Sequence, residues 1–230
     1  MLLECRNINF RYPGNEALLF QELSLVIDTP GFHALFGPSG VGKSSLAKII
    51  SGQLTAEQGA VRYHNDGRVL YGYNLERLPG WSSVGRHLER VTPAHHRSLK
   101  EALIEAFGLA EVMDRHFSRL SLGQQNRINL LRYLVQDFNA LIMDESLANV
   151  DEKTREQILL TIKEMFPDAL FLYISHNVVE VAAFCRQILV LRGLHKMPRV
   201  VTVQGQDRMK GREIDRQGLQ QTMLEIMNAA

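Results

Sequence analysis

The 230-residue sequence contains no apolar run approaching the ~20 residues needed to span a bilayer. Any service to a membrane is therefore expected from the cytoplasmic side, through another chain. Cysteine is scarce: Cys5 and Cys185 stand far apart and in no metal-type spacing. They read as buried thiols of a reducing compartment, with a single disulfide as the other option. No dense basic run is present and the formal net charge is +1, which argues against nucleic acid as a partner. Met1-Leu2-Leu3 meets Glu4 and Arg6 at once, so no signal peptide is expected. Internal repeats and low-complexity segments are also missing. What remains is the composition of a folded chain, with 45% hydrophobic and 22% charged residues, enough for one large domain or two closely associated lobes.

The chain is organised around Gly37-Pro38-Ser39-Gly40-Val41-Gly42-Lys43-Ser44. The apolar run Phe32 to Phe36 before it reads as a buried strand, and Ser45 to Ile50 after it as a helix with one apolar side. A strand, a glycine-rich turn and a helix opening on Lys-Ser form a phosphate-binding loop. Phosphate oxygens need several backbone N–H groups aimed at one point. Gly37, Gly40 and Gly42 remove the side chains that would obstruct this and permit positive φ. The helix adds the positive end of its dipole. Lys43 can then reach the β- and γ-phosphates of a nucleotide, and the Ser44 hydroxyl can hold Mg²⁺.

In chain order, residues 2–10 and 23–28 read as strands, then 59–63 and 68–73, with His64-Asn65-Asp66-Gly67 between the last two as a hairpin signal. From about 75 to 136 the sequence predicts no strand. Helices are expected over Arg97 to Phe107, stopped by Gly108, and over Gly123 to Val135. This middle third reads as a helical lobe inserted into an α/β sheet. The sheet resumes at 139–145, followed by helix 153–166, strand 170–174, helix 177–185, strand 188–191 and a short strand at 200–204. A terminal helix is expected over 212–228, with Ile214, Leu219, Met223, Leu224 and Met227 on its buried side. Alternating units of this kind imply a mostly parallel sheet covered on both faces.

Two carboxylates end the strand at Asp144-Glu145, where ligands bind in open α/β sheets. Asp144 is placed to hold Mg²⁺ and Glu145 to polarise a water in line with the γ-phosphate. Ser175-His176 ends the next strand on the same edge, where a neutral imidazole can bond the γ-phosphate or the attacking water. His95-His96 lie in a polar stretch and read as solvated. Ser121 caps a second helix start at Leu120-Ser121-Leu122-Gly123-Gln124-Gln125, leaving backbone N–H groups bare beside Gly123.

The phosphate loop, Leu120 to Gln124, the apolar run ending in Asp144-Glu145, then Asp151 and Ser175-His176, occur in an order that resembles the nucleotide-binding subunit of an ATP-binding cassette (ABC) transporter. The likeness covers roughly residues 2–195. It implies a P-loop ABC-ATPase fold with an antiparallel β subdomain and an inserted helical subdomain, over 1–73 with 137–230 and over 74–136 respectively. It implies ATP and Mg²⁺ as ligands and Tyr12 as the aromatic that stacks on adenine. Nucleotide contacts are implied from the loop through Ser45, from the signature residues Ser121, Gly123 and Gln124, and from Asp151 of the D-loop. It also implies a head-to-tail dimer with ATP between the loop of one subunit and the signature of the other. Integral membrane permease subunits are implied partners, a substrate-binding protein is another, and the cytoplasmic face of the membrane is the expected location.

Three positions depart from the family pattern. Leu122 stands where Gly is usual, Ser146 where Pro is usual, and Asn74 where the Q-loop glutamine belongs. Asn74 keeps the amide, so it is the expected further metal ligand, but it is one methylene short and needs a small loop shift to reach. Leu122 is strained if its φ must be positive and harmless if it is not. Asn74 and Leu122 together predict a slow, weakly dimerising ATPase. Pro198-Arg199-Val200, Asp207-Arg208 and the terminal helix are similar to the ends of subunits serving nitrate, sulfonate and taurine importers. The alternative is a soluble ABC ATPase that drives assembly or remodelling; a single cassette without a basic linker favours transport.

Overall fold

A computed structural model describes residues 3–63, 67–74, 76–78 and 80–230. Its centre is a six-stranded sheet in the order β5-β6-β7-β3-β8-β9. These are β3 (Gly31–Phe36), β5 (Val69–Tyr73), β6 (Ala140–Asp144), β7 (Leu170–Ile174), β8 (Gln187–Leu191) and β9 (Val200–Gln204). All neighbours run parallel except β8 and β9. A second, antiparallel sheet has the order β2-β1-β4, from β1 (Leu3–Phe10), β2 (Phe20–Ile27) and β4 (Gln58–Tyr63). The helices are α1 (Lys43–Ile50), α2 (Val84–Val91), α3 (Arg97–Ala106), α4 (Leu122–Leu134), α5 (Glu152–Met165), α6 (Val178–Phe184) and α7 (Arg216–Ala229).

The near-continuous apolar strands are explained by burial on both faces. In β6 and β7 every residue is buried. Alternate residues point to opposite sides, so Leu141, Met143, Phe171 and Tyr173 join one core while Ala140, Ile142, Leu170, Leu172 and Ile174 join the other. The first core is closed by α4, α5 and α6, the second by α1 and the antiparallel sheet. Both cysteines are buried and unpaired, and burial pushes the Cys5 thiol up to about 12. No described helix is long and apolar enough to cross a membrane.

Two expectations are corrected, and one helix is added. Residues 59–63 and 68–73 form no hairpin: β4 pairs with β1 and β5 pairs with β6, in different sheets. The turn signal His64-Asn65-Asp66 lies outside the described residues. Helix α2 is not legible, because only Val84 and Leu88 are buried, Val91 is half-buried at its end, and the residues between are glycine or polar and charged. Its start is set by Ser83, whose side chain accepts from the Arg86 N–H. In α7 the buried stripe runs through Thr222 and Ile226, and Leu224 and Met227 are exposed. Thr222 can turn inward because its hydroxyl donates to the Gln204 carbonyl of β9.

Candidate nucleotide site

Because β3, β6 and β7 are adjacent and parallel, their C-terminal ends share one edge of the sheet. β3 runs into the glycine loop, β6 ends in Asp144 and β7 leads to Ser175 and His176. Tyr12, Leu19, Ser39, Gly40, Gly42, Lys43, Ser44, Ser45, Asp144, Glu145 and His176 line a cleft of about 310 Å³ there.

The loop requires its glycines. Gly37, Gly40 and Gly42 have φ of 148°, 78° and 107°. A Cβ on Gly37 would stand 2.3 Å from the Leu191 carbonyl oxygen, and one on Gly42 would stand 2.7 Å from the Phe20 ring. Lys43 arches over the loop, its Nζ donating to the Gly37 and Pro38 carbonyls at 2.8 and 2.9 Å. Burial pulls its ammonium below the ordinary value, while Glu145 and Asp144 pull the other way.

Asp144 is buried and accepts from the Tyr71 hydroxyl at 2.8 Å. Glu145 adopts φ of 50°, a left-handed conformation that costs a non-glycine residue roughly 1 kcal/mol. Its N–H still donates to the Ile174 carbonyl, so the turn is tied to β7. In this geometry Glu145 meets His176, whose Nε2 pairs directly with Glu145 Oε1. The structure thus brings the expected base and the expected γ-phosphate sensor together.

Tyr12 lines the cleft with its ring edge-on to Phe10 and its hydroxyl 2.8 Å from Ser45 Oγ. Pro38 and Val41 belong to the loop but do not line the cleft, and Asn74 does not line it either. The Asn74 side-chain oxygen accepts from Asn126 and Asn149, each at 3.1 Å, and its N–H donates to the Asp144 carbonyl. Ser121 and Gln124 exchange hydrogen bonds in a capping box at the start of α4. A Cβ on Gly123 would stand 2.8 Å from the Asn149 carbonyl oxygen, so this glycine seats α4 against the segment after β6. Asp151 caps α5, accepting from the Thr154 N–H, a bond that holds its carboxyl below the usual range. Ser121, Gly123, Gln124 and Asp151 stand outside this chain's own cleft lining.

The sequence did not disclose the buried supports. Tyr71 is one, and its only trace is an aromatic two residues before the end of β5. Glu180 is another: it accepts from Tyr173 and Ser175 at 2.9 and 3.1 Å and lies 3.5 Å from Arg155. It thereby fixes the turn that carries His176. An acid one turn into a helix reads as an ordinary N-terminal charge, so nothing in the sequence singled it out.

A protein-family profile described as "ABC transporter" matches residues 20–148. The molybdenum import ATP-binding protein ModC of Brucella melitensis is 32% identical over 181 residues, covering 70% of this chain and 50% of that protein. The taurine import ATP-binding protein TauB of Pseudomonas aeruginosa is 29% identical over 207 residues, covering 83% of this chain and 78% of that one. This chain therefore spans about half the length of the Brucella relative. A solved bacterial Atm1-family ABC exporter with ATP bound superposes with a TM-score of 0.75 at 19% identity, over 99% of this chain and 41% of that one. The profile covers more than half of the chain, and its matched span carries the glycine loop, the α4 cap and the paired carboxylates: this protein belongs to the ABC transporter family.

Proposed function

We propose that this chain is the ATP-hydrolysing subunit of an import system. It acts as a homodimer, or paired with a similar subunit, on integral membrane permease subunits at the cytoplasmic face of the membrane. A substrate-binding protein supplies the cargo. The observation that carries the reading is the cleft itself. Lys43, Asp144, Glu145 and His176 converge beside a loop that needs glycine at Gly37 and Gly42 for close packing and positive φ. The import names of the ModC and TauB relatives support the transport half of the reading.

The proposed division of labour follows from the contacts. The loop N–H groups and Lys43 bind the β- and γ-phosphates, and Tyr12 takes the adenine. Ser44 and Asp144 offer hard oxygen donors in the same cleft, a set that suits Mg²⁺. Bound there, Mg²⁺ supplies charge neutralisation on the phosphates. Glu145 takes the proton of the attacking water, and its partner His176 keeps the carboxylate aimed. Ser121, Gly123, Gln124 and Asp151 line no part of their own chain's cleft, which supports the reading that they complete the cleft of a partner subunit. Residues 1–73 with 137–230 form the α/β core in this reading, and 74–136 the helical subdomain that meets the permease.

Phosphate release by the purified chain tests the proposal. Glu145→Gln should bind MgATP, hydrolyse it ~10²–10⁴-fold more slowly and accumulate as an ATP-bound dimer. Turnover within about threefold of the parent would remove Glu145 from the role of base.

A further inference from the structure

His95 and His96 close the short 3-10 turn Ala94–His96 that leads into α3. Asp137 lies in the connection between α4 and β6. Folding brings His95 Nε2 to 2.9 Å and His96 Nε2 to 3.7 Å from the same oxygen, Asp137 Oδ1. The imidazole centroids are 4.3 Å apart. All three donor atoms lie within 4.8 Å of one another, a meeting of three such groups found nowhere else among the described residues.

The hydrogen bonds around the cluster set which ring nitrogen is free to bind. His96 Nδ1 lies 3.0 Å from the Val135 carbonyl oxygen. A carbonyl can only accept, so Nδ1 carries the hydrogen, and in that tautomer the Nε2 lone pair faces Asp137 Oδ1. Two acceptors facing each other repel unless a proton or a cation lies between them. A backbone carbonyl on the far nitrogen is also how proteins orient a histidine that ligates a metal. Two bonds of about 2.0–2.1 Å meeting at a tetrahedral angle hold their donor atoms roughly 3.3 Å apart. The observed 2.9 and 3.7 Å bracket that value.

We propose that His95, His96 and Asp137 bind one divalent cation of the zinc class, with the remaining coordination positions taken by water. Two imidazole nitrogens and one carboxylate suit Zn²⁺, Co²⁺ or Ni²⁺, whereas Mg²⁺ selects oxygen ligands. On binding, His95 exchanges its Nε2–H bond to Asp137 for a bond to the metal and carries its hydrogen on Nδ1. The site opens onto a recess of about 320 Å³ whose guanidinium, Arg68, is turned to Gln136 Oε1 at 3.2 Å. A bound ion would clasp the turn before α3 to the connection that feeds β6, the strand ending in Asp144.

Cobalt is the probe, because Zn²⁺ has no visible spectrum. Metal-stripped protein without nucleotide, titrated with Co²⁺, should develop visible absorption that saturates at one ion per chain. Zn²⁺ should displace it, and a large excess of Mg²⁺ should not. His96→Ala should weaken Co²⁺ at least about tenfold. Asp137→Asn should do the same; it keeps a hydrogen-bonding group of the same shape, and an unchanged melting temperature separates loss of Co²⁺ from unfolding. His176→Ala should leave the titration unchanged, which separates this site from the Glu145–His176 pair of the cleft. Absence of saturable absorption overturns the proposal and leaves a hydrogen-bonded His–Asp pair at the surface. Loss of Co²⁺ in His176→Ala but not in His96→Ala or Asp137→Asn also overturns it.

Discussion

Tyr71→Phe removes one oxygen atom from behind the catalytic cleft, and its effect can be worked out from the structure. The Tyr71 hydroxyl donates to Asp144 Oδ2 at 2.8 Å, and both residues are buried. Burial and the adjacent carboxylate push the phenol above its ordinary range, so it stays a donor at every working pH. Phenylalanine has the same shape, so packing is nearly unchanged. A hydrogen bond to a charged group contributes about 1.5–3 kcal/mol, a factor of roughly 10–150. The partners that orient a metal ligand typically carry 10–100-fold in affinity, so both routes converge on about tenfold or more. The loss falls on positioning of Asp144, because the proposed base Glu145 and Lys43 are untouched. The half-saturating Mg²⁺ concentration for ATP hydrolysis should therefore rise about tenfold, while kcat at saturating Mg²⁺ changes by less than about threefold. Phosphate release across a Mg²⁺ series at fixed ATP is the assay. A half-saturating concentration unchanged within about twofold would show that Asp144 needs no such support.

Other perturbations follow from the same contacts. Lys43→Ala should weaken ATP more than AMP, whereas Tyr12→Ala should weaken both equally by ~1–3 kcal/mol; calorimetric titration decides, and equal losses in the lysine variant refute its assignment. Leu122→Gly should leave the ATP-bound dimer formed by Glu145→Gln unchanged within about threefold and lower stability by no more than about 1 kcal/mol, as read by sedimentation and melting. Asp207 is raised by burial but lowered further by its bonds to Lys163 and Arg186, so its folded value lies below the unfolded one. Its contribution to stability is present above about pH 4 and lost as pH falls further. Asp207→Asn should cost about 3 kcal/mol at neutral pH and flatten the melting temperature between roughly pH 5 and 3, because it leaves Lys163 buried without its carboxylate.

What the sequence disclosed and what it hid divide along a physical line. Features encoded by local backbone demands were legible. Gly37, Gly40 and Gly42 announce a loop that no other residue fits. The apolar run into Asp144 announces a buried strand with a carboxylate at its ligand-binding end. Features set by contacts between distant segments were not legible. Tyr71 meets Asp144 only because β5 lies parallel to β6, and the sequence reading had paired residues 68–73 with the wrong strand. His96 and Asp137 meet only because the turn before α3 folds back on the end of α4. The positive φ of Glu145 is likewise invisible in a residue type that rarely adopts it, although it aims the carboxylate at His176.

The three departures from the family pattern can now be separated by what each side chain touches. Leu122 is the first residue of α4, half exposed and absent from the positive-φ positions, so its side chain points to solvent without strain. The close approach that demands glycine falls one residue later, at Gly123. Ser146 is buried, and its hydroxyl donates to the Gly72 carbonyl at 3.2 Å. It thus ties the turn after the catalytic pair to β5, an anchor that proline, which has no hydroxyl, could not supply. Asn74 alone bears on communication. Its amide oxygen holds Asn126 on α4 and Asn149 after β6, while its N–H holds the Asp144 carbonyl. One short residue, through its side chain and its backbone N–H, therefore links the capped helix, the segment before Asp151 and the backbone of Asp144, the proposed magnesium ligand. To reach a metal in the cleft, Asn74 would have to release both asparagines. Any slowness of the proposed ATP hydrolysis should accordingly be sought in the cost of breaking that junction, and not in the leucine of the signature.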